Sequence, residues 1–336
     1  MAPGQNTSME YVRLGNSGLK VSKIILGCMS YGSPEWQDWV LGEEESLKHI
    51  KAAYDAGINA FDTANVRFGS FSVSPPAHHE IGIDVYSVVK KSHKEPFWQG
   101  KELEENGYVN QHGLSRKHIF DSVKLSLERL QLDYIDLLQC HRFDYNTPIE
   151  ETMQALHDVV KAGYVRYIGM SSCHAYQFHA MQNYAIANKL TPFISMQNHY
   201  NLVYREEERE MFPTLKLLNV GSIPWSPLAR GLLTRPLNAD TIRGKTDRMI
   251  KGYSVNEGTE KIVSKVEGIA KKYNVSMAQV ALAWVFARPG VTAPIVGTTS
   301  LENLHDLLNA VNLKLSAEDL KELEEPYQAQ RIYGHS

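Results

Sequence analysis

The sequence predicts an α/β fold, a (β/α)8 barrel of the TIM type with an N-terminal β-hairpin, on three observations. First, amphipathic helical patterns alternate with short apolar runs from residue 24 onward, which implies a parallel sheet covered by helices. Second, one order of text recurs: helix, glycine stop, apolar strand, polar residue. It leads from Glu43–Gly57 into Phe61-Asp62-Thr63-Ala64, from Lys161-Ala162-Gly163 into Val165–Ser172, and from Asn219-Val220-Gly221 into Ser222–Pro227. Reactive side chains therefore collect at the carboxyl ends of strands, the face that carries the chemistry of parallel barrels. Third, no GxGxxG follows the first strand, which argues against an open dinucleotide-binding sheet.

The elements follow in order. Residues 1–9 read as a loose tail, and two alternating runs around Asn16-Ser17-Gly18 predict a hairpin within Tyr11–Leu26. Ile24–Gly27 is the first buried strand. Ser115 is placed to cap a helix over Lys117–Leu130, and Tyr134–Gln139 is a strand. Thr147-Pro148 opens the next helix, with Glu150 in capping-box position. Phe193–Met196 and Pro294–Gly297 are strands. Glu206–Leu218 (interrupted near Pro213), Val263–Tyr273, Met277–Arg288, Leu301–Ala310 and Ala317–Glu325 are helices. Arg230–Gly258 reads as a long loop over the barrel mouth.

The stretch 66–105 departs from this pattern. It holds a Pro-Pro pair and an aperiodic charged and aromatic run over Lys90–Gln99. Ile81–Val89 supplies one strand, without a convincing amphipathic helix before it. His78-His79-Glu80 has no second cluster at ligand spacing, so no metal is expected.

Composition excludes several classes. The chain has 336 residues, read as one barrel domain over 1–336, and 43% apolar with 22% charged residues is ordinary for a globular protein. A net charge of -3 gives no electrostatic reason for nucleic acid or membrane as partner. No stretch approaches the roughly 20 apolar residues that span a bilayer. Cys28, Cys140 and Cys173 have neither CxxC nor zinc spacing and fit a reducing compartment, so a cytoplasmic protein is expected.

Seven runs then carry a resemblance. They are Phe61-Asp62-Thr63-Ala64-Asn65, Gly113–Ile119, Asp133–Arg142, Gly163–Gly169, Met196-Gln197-Asn198, Ile223–Gly231 and Ile295–Thr299. Over about residues 9–66 and 106–325 the chain resembles the aldo-keto reductases, in the fungal aryl-alcohol dehydrogenase-like branch related to potassium-channel β subunits. The resemblance implies reduction of aldehydes or ketones, aromatic ones above all, by hydride transfer from NADP(H), with NAD not excluded. It also implies a small-molecule carbonyl or alcohol as partner. Such proteins use a tyrosine proton donor, a lysine paired to an aspartate, and a histidine that orients the substrate oxygen.

Asp62 and His141 match two of these positions. Five residues after Asp62, where the tyrosine is due, stands Arg67, which donates hydrogen bonds only. The displaced text Val85-Tyr86-Ser87 makes Tyr86 the donor if residues 66–84 are an insertion. Lys90 or Lys91 is the nearest substitute for the lysine. Such an interruption fits altered splicing or a gene-model error, with one piece inserted and another lost.

For the cofactor, the resemblance places Cys28 and Met29 beside the nicotinamide, with Ser171, Ser172 and Gln197 holding its carboxamide. Trp225 stacks on the ring, and Ser226, Pro227, Leu228, Arg230, Gly231 and Arg235 follow the pyrophosphate. Gly297, Thr299, Asn303 and Asp306 meet the adenosine end, where Asn303 and Leu307 depart from the usual residues. Arg67 and the missing lysine also support a second expectation, a cofactor-binding protein with little turnover. A third is a splice product whose lost strand leaves a barrel edge open.

Overall fold

The computed structural model describes residues 9–35, 37–64, 80–89, 101–237, 239, 250, 253 and 256–335. Strands β1 (Tyr11–Arg13) and β2 (Lys20–Ser22) form the expected antiparallel hairpin. Eight further strands form one parallel sheet: β3 (Ile25–Gly27), β4 (Ala60–Ala64), β5 (Glu80–Val85), β6 (Ile135–Cys140), β7 (Val165–Ser171), β8 (Ser195–Gln197), β9 (Gly221–Ser222) and β10 (Ile295–Val296). Their spatial order is β10-β3-β4-β5-β6-β7-β8-β9. The ring closes through Thr292 N to Ser222 O at 2.8 Å and Ile295 N to Pro224 O at 2.9 Å. This is the expected barrel, complete around its circumference.

The third strand differs from expectation. Ile81–Val89 is strand only as far as Val85, and β5 pairs with β4 on one side and β6 on the other. The splice-product reading assumed an unpaired edge here, and the continuous ladder removes that premise. Helix α2 (Lys101–Glu105) ends the divergent stretch 66–105, just after the run read as aperiodic.

The outer layer is built from α1 (Glu43–Asp55), α3 (Arg116–Leu130), α4 (Ile149–Lys161), α5 (Ala175–Ala187), α6 (Met211–Leu218), α7 (Glu257–Tyr273), α8 (Met277–Phe286), α9 (Leu301–Asn309) and α10 (Ala317–Glu324). Local chemistry sets their starts. Side chains of Ser115, Asn256, Ser276, Ser300 and Ser316 each accept a first-turn backbone N–H, satisfying donors that a helix start leaves open. The capping box expected at Thr147 does not form. The Thr147 hydroxyl donates to Asp144 Oδ2 at 2.7 Å, and α4 begins after Pro148 without a side-chain cap. Glu206–Leu218 resolves into a 3-10 turn (Glu206–Glu208) and α6, with Pro213 in the first turn of α6, where a missing N–H costs nothing.

Hairpin residues Leu14 and Val21 pack with Ile25, Ala60, Leu137 and Ile223 to close the amino-terminal end of the barrel. Inside it the strands approach closely: a Cβ on Gly169 would lie 2.1 Å from Ser195 Oγ, which itself donates to Gln139 Oε1 at 3.4 Å. Any side chain at 169 would push β7 from β8.

One polar knot ties α7 to α10. Asp319 accepts from Lys272 Nζ at 2.7 Å, from Tyr273 Oη at 2.7 Å and from Ser316 Oγ at 3.0 Å. Against the cost of burial, these bonds hold its carboxyl down to about 2. A carboxyl lowered in the folded state stabilises above its unfolded pKa and loses that contribution as pH falls towards 2. Asp319→Asn is expected to cost about 1 kcal/mol at pH 7, since Lys272 is solvent-exposed. The difference from the parent should vanish near pH 2, measured by urea melts across pH.

Candidate active site

The carboxyl ends of the strands converge on one mouth. β4 brings Asp62, β6 ends into His141, and β8 ends at Gln197, whose Nε2 donates to Asp62 Oδ1 at 2.8 Å across the barrel. β7 delivers Ser171 and Ser172. The Ser171 hydroxyl donates to Gln197 O at 2.6 Å, and Ser172 Oγ accepts Trp225 Nε1 at 3.0 Å. Asp62, His141, Ser171, Ser172, Gln197 and Trp225 thus stand around a single opening.

β5 supplies the unexpected member. Asp84 is buried at 3% exposure, with Oδ2 3.9 Å from His141 Nε2. Among the described residues of this strand, Gly82, whose Cβ position is 3.7 Å from Asp62 Oδ1, and Asp84 face inward. An acid, and no lysine, therefore lies on the strand between Asp62 and His141. Lys90, Lys91 and Arg67 lie outside the described residues, as do His78 and His79.

Tyr86 follows β5 directly. Val85 O accepts His141 N at 2.9 Å, and Tyr86 O accepts Gly113 N at 2.8 Å, so the residue sits beside the His141 strand end. Burial raises its phenol above the ordinary range, with Asp144 and Tyr145 adding to this and Arg142 opposing it. Arg142 donates to His141 O at 2.5 Å. Burial lowers its guanidinium, against the raising influence of Asp84, Tyr86 and Tyr333.

Trp225 rests on His199, which sequence reasoning missed. The imidazole stacks between Trp225 (4.1 Å, 9°) and Tyr204 (4.2 Å, 16°), and its Nε2 lies 2.7 Å from Tyr253 Oη. The signal available was aromatic crowding just after Gln197-Asn198. Tyr204 joins this stack, whereas Tyr200 stacks on Trp284 in the core.

Beyond Trp225 the backbone turns sharply. Ser226, Ala229, Arg230 and Gly231 all have positive φ, and tight turns that aim successive backbone N–H groups inward form concavities suited to anions. Arg230 is 9% exposed; Pro227 is buried and Leu228 packs on the core. Arg235 lies close to Gly231, whose Cβ position is 3.4 Å from its Nη2. Cys28 and Met29 occupy a 3-10 turn after β3, both half-exposed. Gly297 packs on Gly27 O, and Thr299 and Asn303 are exposed. Asp306 is engaged within the fold, accepting from Ser276 Oγ at 2.5 Å and Gln279 Nε2 at 2.6 Å, and Leu307 is core. Among the described residues no cluster of three or more His, Cys, Asp or Glu could hold a metal, and no helix is long and apolar enough to cross a membrane.

The carboxyl mouth of the parallel barrel thus gathers an acid, an imidazole and a broad aromatic ring. Residues 23–328 match the model of the aldo/keto reductase family. Relatives include a Schizosaccharomyces pombe protein provisionally named an aryl-alcohol dehydrogenase, 50% identical over 96% of this chain and 97% of its own. The versiconal hemiacetal acetate reductase of Aspergillus parasiticus is 46% identical over 97% and 99%. An aldo-keto reductase of Fusarium vanettenii is 47% identical over 98% and 94%. The chain belongs to the aldo-keto reductase family. It is an oxidoreductase of small-molecule carbonyls and alcohols, in a family that uses a nicotinamide cofactor.

Proposed function

We propose that this protein reduces aromatic aldehydes and ketones to alcohols with NADP(H), reversibly, in the cytoplasm. The carrying observation is the ring of Asp62, His141, Ser172, Gln197 and Trp225 around one mouth, followed by the left-handed turn Ser226–Gly231. The aryl-alcohol and reductase names of the relatives favour an aromatic carbonyl.

The residues fit the cofactor at two of three points. Trp225 offers a ring for stacking, and the backbone of Ala229–Gly231 with Arg230 and Arg235 suits a pyrophosphate. At the adenosine end Gly297, Thr299 and Asn303 remain available, while Asp306 accepts from the Ser276 hydroxyl and the Gln279 side chain at the start of α8. When bound, the nicotinamide supplies the hydride. Ser172 and Gln197 would then orient the carboxamide, His141 would hold the substrate oxygen, and Tyr86 would give its phenolic proton to the developing alkoxide.

A second reading is a cofactor-binding protein with weak turnover. It is favoured by Asp84 on the strand beside Asp62 and by a Tyr86 phenol raised instead of lowered. Absorbance of NADPH over time, with purified protein and a panel of aromatic aldehydes, separates the two. Aldehyde-dependent loss of NADPH is the expected result. Binding of NADPH without consumption on any aldehyde would leave the second reading standing.

A further inference from the structure

The segment after α10 is held to the barrel rim at one short stretch, Tyr204–Glu207. Tyr327 Oη donates to Glu206 Oε1 at 2.6 Å and accepts Arg205 N at 2.8 Å. Gln330 N donates to Glu206 Oε1 at 2.9 Å, and Tyr333 N to Tyr204 Oη at 3.1 Å. His335 Nε2 then lies 3.0 Å from Glu207 Oε1, at ion-pair distance though outside hydrogen-bond geometry, with side chains only 7% and 1% exposed, and its ring sits edge-on to His174 at 4.9 Å. Contacts this buried are not those of a fraying terminus.

These anchors carry Gly334 into the mouth. A Cβ there would lie 3.2 Å from Trp225 Cζ2 and 3.9 Å from Ser172 Oγ, and its φ of +87° is one that favours glycine. The Gly334 backbone thus lies close to the six-membered ring of Trp225 and to the Ser172 hydroxyl. His199 already covers one face of that indole, so a second planar ring has only the other. Gln197, also placed at the cofactor's carboxamide, meanwhile donates to Asp62.

We propose that residues 327–335 form a strap that competes with the nicotinamide ring for Trp225 and Ser172, and that the His335–Glu207 contact is its latch. The inference rests on the cofactor placement proposed above. The strap-closed protein cannot stack a nicotinamide on Trp225, so the observed affinity is the intrinsic one reduced by the fraction of open protein. Association should then be limited at high NADPH by the rate at which the strap opens.

The test uses the full chain and two variants. His335→Ala removes the latch, and Gly334→Ala adds a Cβ against Trp225 at a strained φ; thermal melts establish that both fold. Titration with NADPH, followed by tryptophan fluorescence, is expected to give Kd about 3- to 10-fold lower for each variant than for the parent. Stopped-flow association that levels off in the parent should become linear in NADPH in His335→Ala. Unchanged or weaker binding in both folded variants would overturn the strap while leaving the cofactor site in place. Absence of NADPH binding in the parent and both variants would instead overturn the cofactor placement, and the strap with it.

Discussion

Tyr86→Phe is expected to lower kcat for aldehyde reduction about 10²- to 10⁴-fold, while Kd for NADPH stays within about twofold of the parent. Tyr86 lies one residue past β5, whose last carbonyl accepts His141 N, so its place is set by the same ladder that sets His141. A group that acts only as the alkoxide takes its proton should change kcat and kcat/KM together. The environment adds a distinguishing mark. Burial, Asp144 and Tyr145 raise the phenol and Arg142 only partly opposes them, so the donor remains protonated beyond the ordinary tyrosine range. The parent's rate should therefore hold on the alkaline side instead of falling as a lysine-lowered phenol would. Steady-state kinetics of both proteins across pH check this. Equal kcat in parent and variant would remove Tyr86 as donor and favour the weak-turnover reading.

The barrel was legible because parallel strands buried on both faces read as apolar runs, and because helix starts are signalled locally. Ser115, six residues after Val109 in a polar stretch, announces α3 by its own hydroxyl. Asp62, His141 and Trp225 were legible because each terminates such a run. What stayed hidden depends on partners distant in the chain. Asp306 reads as an adenosine contact, and nothing local shows that Ser276 and Gln279, some 27 to 30 residues earlier, each bond to one of its oxygens. His199 stands in an aromatic-rich stretch, but nothing local shows that Trp225, 26 residues later, covers one of its faces. Thr147 failed as a cap because Asp144, only three residues away, captured its hydroxyl; a local rival defeats a local rule. Asp84 was passed over because the text around it gives no period, and only its pairing to β4 and β6 fixes its role.

Lowering the pH from 7 to about 4 is expected to remove several kcal/mol of folding stability, and two buried histidines set that slope. Burial pushes His199 down to about 3, with Arg230, His335 and Arg142 adding to it. Its Nδ1 has no hydrogen-bond partner among the described residues, and its Nε2 faces Tyr253 Oη, so a doubly protonated ring would leave its Nδ1 proton without an acceptor. Burial likewise pushes His118 down to about 4, helped by His112 and Lys117 against Asp121 and Asp144. Both groups have folded pKa values below the unfolded value of about 6.5. Above that pH neither state binds the proton and stability is intact. Below it the unfolded chain takes up protons that the folded one refuses, and stability falls by about 1.4 kcal/mol per pH unit for each histidine until its folded pKa is reached. His199→Phe keeps the stack between Tyr204 and Trp225 but cannot titrate, so urea melts between pH 6.5 and 4 should show a slope shallower by about 1.4 kcal/mol per unit. His118→Gln should flatten it by a similar amount over the same window. Parallel pH dependence in the parent and both variants would mean that these imidazoles take up protons in the folded barrel, and that the stack beneath Trp225 tolerates a charged His199.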